Sequence, residues 1–271
     1  MAKRRRLDEE LVAQGYFSTK DEAYRAVLAG EVSASGERLD HPGEAVKPGS
    51  ALHVRGTRPY VSRGGLKLAG ALDAFKVDPK GLRCLDVGCS TGGFTDVLLR
   101  RGAKSVLAVD VGYAQFAWEL RNDCRVELLE RTNMVDVPTP ERQGTIDLAV
   151  CDVSFTSVLT VLPAVLELLT DTGGLLTLVK PQFEAPRDQV GEGGVVRDPN
   201  VRLQALKRVA FAFQEAGLTP VGACPSSIKG TKGNQEYLLL GDRKTAVTGT
   251  LDLESVVRSS TSILPKTEHM Y

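Results

Sequence analysis

The sequence predicts an α/β fold, a mostly parallel sheet with helices on both faces and an antiparallel edge, preceded by a small α+β domain. Short apolar segments alternate with helical segments from residue 66 onwards, which is the pattern of a parallel sheet. A glycine-rich turn joins the first of these strands to a helix. The first 55 residues have a separate pattern, and a chain of 271 residues is long enough for two domains.

Residues 1–55 are predicted to form a compact domain of two helices and short strands. Ser18 is expected to cap the second helix, which ends at Gly30. The strands are predicted at 31–34 and 51–54, between turns rich in glycine and proline. A linker at 56–65 follows.

The main domain is predicted at 66–245, followed by a tail at 246–271 that is loosely attached or forms a single helix. Its last two strands are expected to form a hairpin at the sheet edge. The predicted strands are 83–87, 105–109, 126–129, 146–151, 174–179, 220–224 and 236–240, and the predicted helices are 66–75, 93–101, 156–169 and 201–216.

Composition excludes several classes of protein. Five cysteines without a Cys-x-x-Cys pair, and three scattered histidines, predict neither a disulfide framework nor a metal site. The basic N-terminus lacks an apolar segment after it, and no apolar run is long enough for a bilayer, so no signal peptide or membrane span is expected. The sequence therefore predicts a cytoplasmic protein.

The charges are balanced overall, with 34 basic and 34 acidic side chains, but they are unevenly distributed. Basic residues cluster near the N-terminus, and the segment 45–72 contains no acid. This pattern indicates a surface for phosphates, although a solvated basic run and a charged linker are the alternative. The residues predicted to contact phosphates are Arg4, Arg6, Lys20, Arg25, Arg58 and Arg63.

The segment 84–94 leaves a strand, turns on glycines and enters a helix, so its backbone N–H groups can approach a ligand. It is not a P-loop, because no Gly-Lys-Ser/Thr follows, and Ser90 stands where a dinucleotide fingerprint needs glycine. The acid at the next strand end, Asp110, favours S-adenosylmethionine over a nicotinamide nucleotide; a tight turn with a helix-capping acid is the structural alternative. The predicted cofactor-binding residues are Asp86, Gly88, Ser90, Gly92, Gly93, Phe94, Asp110 and Asn133.

Four polar residues, Lys67, Asp152, Lys180 and Glu236, lie at or near predicted strand ends, where α/β proteins place active sites. A structural ion pair at the sheet edge is the alternative to a catalytic group.

Five segments together resemble the TlyA family, also called haemolysin A, whose catalytic half is similar to the FtsJ/RrmJ ribose methyltransferases. They are SRGGLKL at 62–68, DVGCSTGGF at 86–94, CDVSF at 151–155, VKPQFE at 179–184 and GNQEY at 233–237. The resemblance covers about residues 3–241. It implies a class I (Rossmann-like) methyltransferase domain after an N-terminal domain like that of ribosomal small-subunit protein four. At the linker the family has an Arg-x-Trp-Val-like tetrapeptide, where this chain has RPYV at 58–61.

The resemblance also implies the chemistry. Lys67, Asp152, Lys180 and Glu236 match a catalytic tetrad, S-adenosylmethionine is the cofactor, and cytidine 2′-hydroxyls of ribosomal RNA within ribosomal subunits accept the methyl group. Methyl transfer needs an aligned hydroxyl that loses its proton. Lys180 either receives this proton as a base or orients the oxygen as a cation. The second role stays open because a nearby carboxylate favours the charged form of lysine. A loop at 181–202 is expected to act as a lid that contacts substrate, or to be a surface insertion.

Three other functions fit these residues less well. A base-directed methyltransferase would carry an Asn/Asp-Pro-Pro-aromatic motif, and the segment 152–155 lacks both prolines. A non-catalytic ribosome-assembly factor with an inactive cofactor fold would have disrupted catalytic positions, yet all four residues are present. A pore-forming haemolysin would need a membrane-active segment, which the sequence does not indicate.

Overall fold

The computed structural model describes residues 4–14, 16–17, 19–34, 36–56, 59–230, 232–244 and 251–261. The chain forms two compact units, residues 1–137 and 138–271. Within the described ranges, no helix has the length and apolar character needed to cross a bilayer.

The first unit begins with a small α+β domain. Its helices pack through the fully buried side chains of Leu7, Leu11 and Val27, each of which contributes about 1.5–3 kcal/mol. One antiparallel sheet has the order β3-β2-β5, and β1 pairs with β4. The elements are β1 (Arg5–Arg6), α1 (Leu7–Ala13), α2 (Lys20–Leu28), β2 (Val32–Ala34), β3 (Glu37–Arg38), β4 (Ala45–Val46) and β5 (Leu52–Val54).

The cap of α2 differs from the prediction. Thr19, not Ser18, accepts the Glu22 amide through its side chain, at 3.3 Å. The Glu22 carboxylate accepts the Thr19 amide in return, at 3.1 Å, which completes a capping box. Ser18 itself lies outside the described residues. Adjacent hydroxyl residues give the same sequence signal, so the pattern located the helix start only to within one residue.

The rest of the first unit supplies three parallel strands in the order β6-β7-β8. Register pairs Val87 with Val109 and Val109 with Leu129, so all three strands end at the same edge. The elements are α3 (Gly64–Phe75), β6 (Arg83–Val87), α4 (Gly93–Arg100), β7 (Ser105–Val109), α5 (Trp118–Arg121), β8 (Val126–Leu129) and a 3-10 helix at Met134–Asp136.

The second unit has four strands in the order β11-β12-β10-β9, of which β9 and β10 are parallel and the other pairs antiparallel. Its elements are β9 (Ile146–Cys151), α6 (Val158–Leu168), β10 (Leu169–Val179), α7 (Pro181–Glu184), 3-10 helices at Arg187–Gln189 and Glu192–Gly194, α8 (Pro199–Glu215), β11 (Thr219–Pro225), β12 (Tyr237–Asp242) and α9 (Leu253–Thr261).

The seven strands β6 to β12 confirm the mostly parallel sheet with an antiparallel edge. Two details differ from the prediction. Strand β10 begins at Leu169 and is irregular between Leu169 and Gly174, so the predicted strand at 174–179 is only its regular part. Strand β12 pairs with both β10 and β11, which leaves β11 as the outer strand of the predicted hairpin.

Part of the predicted tail is a packed helix, because α9 buries Leu253 and Val257. The Tyr237 hydroxyl, at the start of β12, lies 3.0 Å from Ser260 Oγ, and both groups are buried. Residues 245–250 and 262–271 lie outside the described residues.

Candidate active site

The segment 84–94, the glycine loop of the first unit, requires glycine at positions 92 and 93. Gly92 has φ +92°, and a Cβ there would lie 2.5 Å from a methyl carbon of Leu120. A Cβ on Gly93 would lie 2.2 Å from Ser62 Oγ and 3.0 Å from the Gly65 amide. Any larger residue would therefore displace the turn, whose backbone comes close to its neighbours.

Asp110 connects the loops at the carboxyl ends of β6 and β7. One carboxylate oxygen accepts the Ser90 amide at 2.7 Å and the other accepts the Gly112 amide at 2.6 Å. The Gly88 amide donates to Val109 O at 2.8 Å, and the Thr132 amide donates to Asp110 O. The loops after β6, β7 and β8 are thereby held together at one edge.

The remaining predicted cofactor residues lie around the same edge. Asp86 is fully buried in β6, where it accepts the Thr95 hydroxyl at 2.6 Å. Phe94 is buried in the first turn of α4. Asn133 is exposed, and its side chain accepts the Val135 amide at 3.3 Å. All eight residues thus belong to the first unit, Asp86 and Phe94 as interior supports and Ser90 and Asn133 as surface groups.

Two buried cysteines, Cys89 in this loop and Cys151 at the end of β9, are not nucleophiles. Burial raises the pKa of the Cys89 thiol, beside Ser90, well above its ordinary value, and burial raises the pKa of Cys151, at the end of β9, to about 12. Both thiols are therefore protonated at neutral pH and do not act as nucleophiles.

Exposed aromatic side chains border the same edge, and the motif-based prediction missed them. The Arg131 guanidinium lies 3.9 Å from the ring centre of Tyr113, and Trp118 is 76% exposed at the start of α5. The Ala117 amide donates to Thr91 O at 3.2 Å, which ties this segment to the glycine loop. In the sequence, these residues are indicated only by the aromatic residues that follow the strand end at Asp110.

In the second unit, Asp152 and Lys180 follow the neighbouring parallel strands β9 and β10. Lys180 Nζ lies 2.6 Å from Asp152 Oδ1 and donates to Ser154 Oγ at 2.7 Å. Lys180 is buried. At this distance of 2.6 Å, Lys180 and Asp152 form a close ion pair.

Glu236 lies beside Lys180. The antiparallel register ends at the pair Val179 and Tyr237, so the residues just beyond it, Lys180 and Glu236, lie near each other at the end of the ladder. Glu236 is 2% exposed, and its Oε1 packs so closely on Gly230 that a Cβ there would lie 2.4 Å away. Three of the four predicted catalytic residues therefore gather in the second unit. Lys67 lies on α3 of the first unit and is largely buried.

Two phenylalanines stand next to this cluster and were also missed by sequence reasoning. Phe155 is 93% exposed and has φ +65°, a conformation that is strained for a bulky side chain. Its ring centre is 5.6 Å from that of Phe183, whose ring lies 6.0 Å from Lys180 Nζ. An exposed aromatic held in a strained turn suits stacking on a planar ligand.

A further buried acid, Glu184, joins the two segments that carry these residues. Its carboxylate accepts the Ser157 hydroxyl at 2.6 Å and the Val158 amide at 2.8 Å, at the first turn of α6. Its backbone carbonyl accepts Arg208 at 2.8 Å. Sequence reasoning placed Glu184 in a family motif without a role.

The predicted lid is hydrogen-bonded to the segment that contains Asn234 and Glu236. Asn234, which is buried, donates to Gly194 O at 2.8 Å and accepts the Val196 amide at 2.9 Å. The segment contains α7 and two 3-10 helices. Asn234 thus connects the loop 191–196 to the segment that leads into β12.

Five of the predicted RNA-binding residues are exposed: Arg4, Arg6, Lys20, Arg25 and Arg63. Arg6 pairs with Asp8 at 2.7 Å, and Lys20 pairs with Glu9 at 2.9 Å. Arg58 lies outside the described residues.

The chain is similar to known proteins over most of its length. The family model of FtsJ-like methyltransferases matches residues 60–243, and that of the S4 domain matches residues 5–52. The chain is 47% identical over 241 residues to the 16S/23S rRNA (cytidine-2′-O)-methyltransferase TlyA of Mycobacterium tuberculosis, which covers 88% of this chain and 90% of the relative. It is 39% identical to hemolysin A of Brachyspira hyodysenteriae, over 86% of this chain and 98% of the relative. A Streptococcus thermophilus structure described as a hemolysin superposes with a TM-score of 0.71 at 38% identity and 97% coverage of both chains.

Proposed function

The chain belongs to the TlyA group of FtsJ-like, S-adenosylmethionine-dependent methyltransferases, and on this basis we propose that it methylates a cytidine ribose 2′-hydroxyl in ribosomal RNA. The observation that carries the proposal is the cluster of Asp152, Lys180 and Glu236 at the ends of β9, β10 and β12. The names of the TlyA relatives support the substrate, since they act on cytidine in ribosomal RNA.

We assign Lys67, Asp152, Lys180 and Glu236 to one catalytic tetrad. Asp152 and Ser154 hold the Lys180 ammonium by charge and by a hydrogen bond. Because Lys180 Nζ is held between Asp152 and Ser154, we assign it the role of orienting a lone pair of the attacking oxygen. We assign the Asp152 carboxylate, beside Lys180, as the group that accepts the hydroxyl proton, and Glu236 as a second negative charge that balances the lysines.

The glycine loop fits the cofactor. Gly92 and Gly93 bring the backbone close to their neighbours, and Asp110 fixes the amides of Ser90 and Gly112 at the same edge. S-adenosylmethionine, when bound, supplies a methyl group on a sulfonium centre. Ser90, Asp110 and Asn133 are the surface groups that would hold its nucleoside.

RNA binding is assigned to residues 1–55, with 56–65 as the linker, 66–245 as the catalytic domain and 246–271 as the C-terminal tail. Exposed Arg4, Arg25 and Arg63 supply charge for phosphates. Phe155 offers an aromatic face to the target base, because flipping a base out of its stack is favoured by such a platform. The expected partner is the RNA of ribosomal subunits, which places the reaction in the cytoplasm.

The test is incubation with labelled S-adenosylmethionine and separate unmethylated ribosomal subunits, followed by mapping of ribose methylation. We expect label at a cytidine 2′-oxygen. The variant Lys180→Ala should abolish transfer, whereas Lys207→Ala, which removes a half-exposed lysine on α8, should not. A wild-type enzyme that binds subunits without modifying them would instead support the non-catalytic assembly factor.

A further inference from the structure

Helix α1 carries a fully buried carboxylate in a domain of about fifty residues. Asp8 is 0% exposed. Taking a carboxylate out of water is costly unless it is paired and hydrogen-bonded. Its partner is Arg6, whose Nε donates to Oδ1 at 3.0 Å and whose Nη2 donates to Oδ2 at 2.7 Å. The Glu9 amide also donates to Oδ1, at 2.8 Å, so the carboxylate is anchored to the helix backbone.

This pairing fixes the orientation of an exposed cation. The side chain of Arg6 is 47% exposed although its partner is buried. Two of the five N–H donors of a guanidinium are used by Asp8, and within the described residues the Arg6 side chain makes no other hydrogen bond. Its Nη1 lies against the backbone of Gly43, where a Cβ would be 3.0 Å away. The remaining donors therefore have a fixed direction and point away from the carboxylate.

Hydrogen bonds also fix the start of α1, which follows Arg6 directly. The amides of Leu7 and Asp8 donate to Glu44 O and Pro42 O, at 2.8 and 3.0 Å. The neighbouring buried acid, Glu10, binds Arg5 at 2.8 Å and the Gly49 amide at 2.7 Å. Arg5 and Arg6 are thus each held by a buried carboxylate, that of Glu10 or Asp8.

We propose that Asp8 is a positioning residue for RNA binding, which holds the Arg6 guanidinium so that its free donors meet a phosphate oxygen. An unpaired arginine on the surface loses rotamer freedom when it binds, and a preorganised one loses little. The inference rests on the proposed function of the N-terminal domain in RNA binding, and it adds a role for an acid that cannot itself attract phosphate.

The proposal makes a prediction opposite in sign to simple electrostatics. Removing a negative charge near RNA should tighten binding by charge alone. If Asp8 positions Arg6, Asp8→Asn should instead weaken binding of the full-length protein to unmethylated ribosomal subunits by about 2- to 10-fold, the range expected for ordering one side chain. The matched control is Asp21→Asn, which removes an exposed acid from α2 of the same domain and should leave binding equal or tighter.

A second variant keeps the test valid if Asp8→Asn does not fold. Arg6→Lys retains both charges and loses only the two-pronged geometry, so it should weaken binding by a similar factor at unchanged salt dependence. The double variant should be no weaker than either single one. In methylation assays both variants should raise KM for the subunits and leave kcat unchanged, with far-UV circular dichroism and thermal unfolding as checks on folding.

The outcomes separate the two proposals. Wild-type protein that neither binds nor methylates the subunits would overturn the proposed function. Wild-type binding together with folded Asp8→Asn and Arg6→Lys variants that bind as tightly as wild type, or more tightly, would overturn the role of Asp8 alone.

Discussion

The connection made by Glu184 gives the most quantitative prediction. Its carboxylate is 2% exposed and accepts two hydrogen bonds at the first turn of α6. It joins the segment after β9, which carries Asp152, to the segment after β10, which carries Lys180. Removing it should therefore affect both stability and catalysis.

The size of the effect follows from these contacts. Glu184→Ala removes two hydrogen bonds to a charged acceptor, worth about 1.5–3 kcal/mol each, and leaves the Val158 amide without that acceptor. We expect a loss of about 3–5 kcal/mol in the free energy of unfolding. For a domain of 150–250 residues this lowers Tm by about 6–20 °C. Glu184→Gln keeps the shape and one acceptor, and should cost about 1–2 kcal/mol.

Thermal and urea unfolding followed by circular dichroism measure these losses, and methyl transfer at a temperature where the variants remain folded measures catalysis. The matched control is Glu254→Ala, which removes the 57% exposed partner of Lys207 and should cost less than about 1 kcal/mol. If Glu184→Ala were no less stable than this control, the contacts of Glu184 would not carry the energy assigned to them.

Three further predictions concern other sites. Lys180→Arg should keep measurable methyl transfer in single-turnover pH profiles and Lys180→Met should not, because an orienting cation needs only charge; complete loss in the arginine variant would instead indicate a base. Tyr237→Phe removes the buried hydrogen bond to Ser260 and should lower Tm by about 1–6 °C, and an unchanged Tm would mean that α9 is held by apolar packing alone. Burial tends to raise the pKa of Asp8, but the hydrogen bond and charge of Arg6 outweigh it and lower the pKa below its ordinary 3.8. The pair therefore stabilises the fold fully above about pH 4, and this contribution is lost as the pH falls through the folded pKa. The wild-type Tm should fall more steeply below pH 4 than that of Asp8→Asn, whereas equal slopes would contradict the assignment.

The sequence predicted the sheet and the loops because strand ends leave local signals. A buried strand followed by glycines or by an acid marks a strand's carboxyl end, where Ser90 and Asp110 lie in the first unit and Asp152 and Lys180 lie in the second. Whether those side chains touch depends on register, which is set by pairing between distant strands. The sequence therefore grouped Lys180 with Glu236 only through the family resemblance, whereas their nearness follows from the β10–β12 register.

Other features have no local signal. Glu184 reads as one more acid in a polar motif, and its burial depends on α6 arriving from another part of the chain. The positive φ of Phe155 cannot be anticipated for a bulky residue, because its intrinsic preference opposes it. Asp8 looks like an ordinary first-turn acid, yet packing buries it under Arg6.

Trp118 is the only tryptophan of the chain, and its indole is largely in water while the neighbouring Ala117 is bonded to the glycine loop. Indole fluorescence depends strongly on its contact with water, so the chain carries an intrinsic fluorophore beside its glycine loop. Binding of S-adenosylmethionine to the unlabelled protein can be followed by tryptophan fluorescence. The variant Trp118→Phe, which has no tryptophan, is the control.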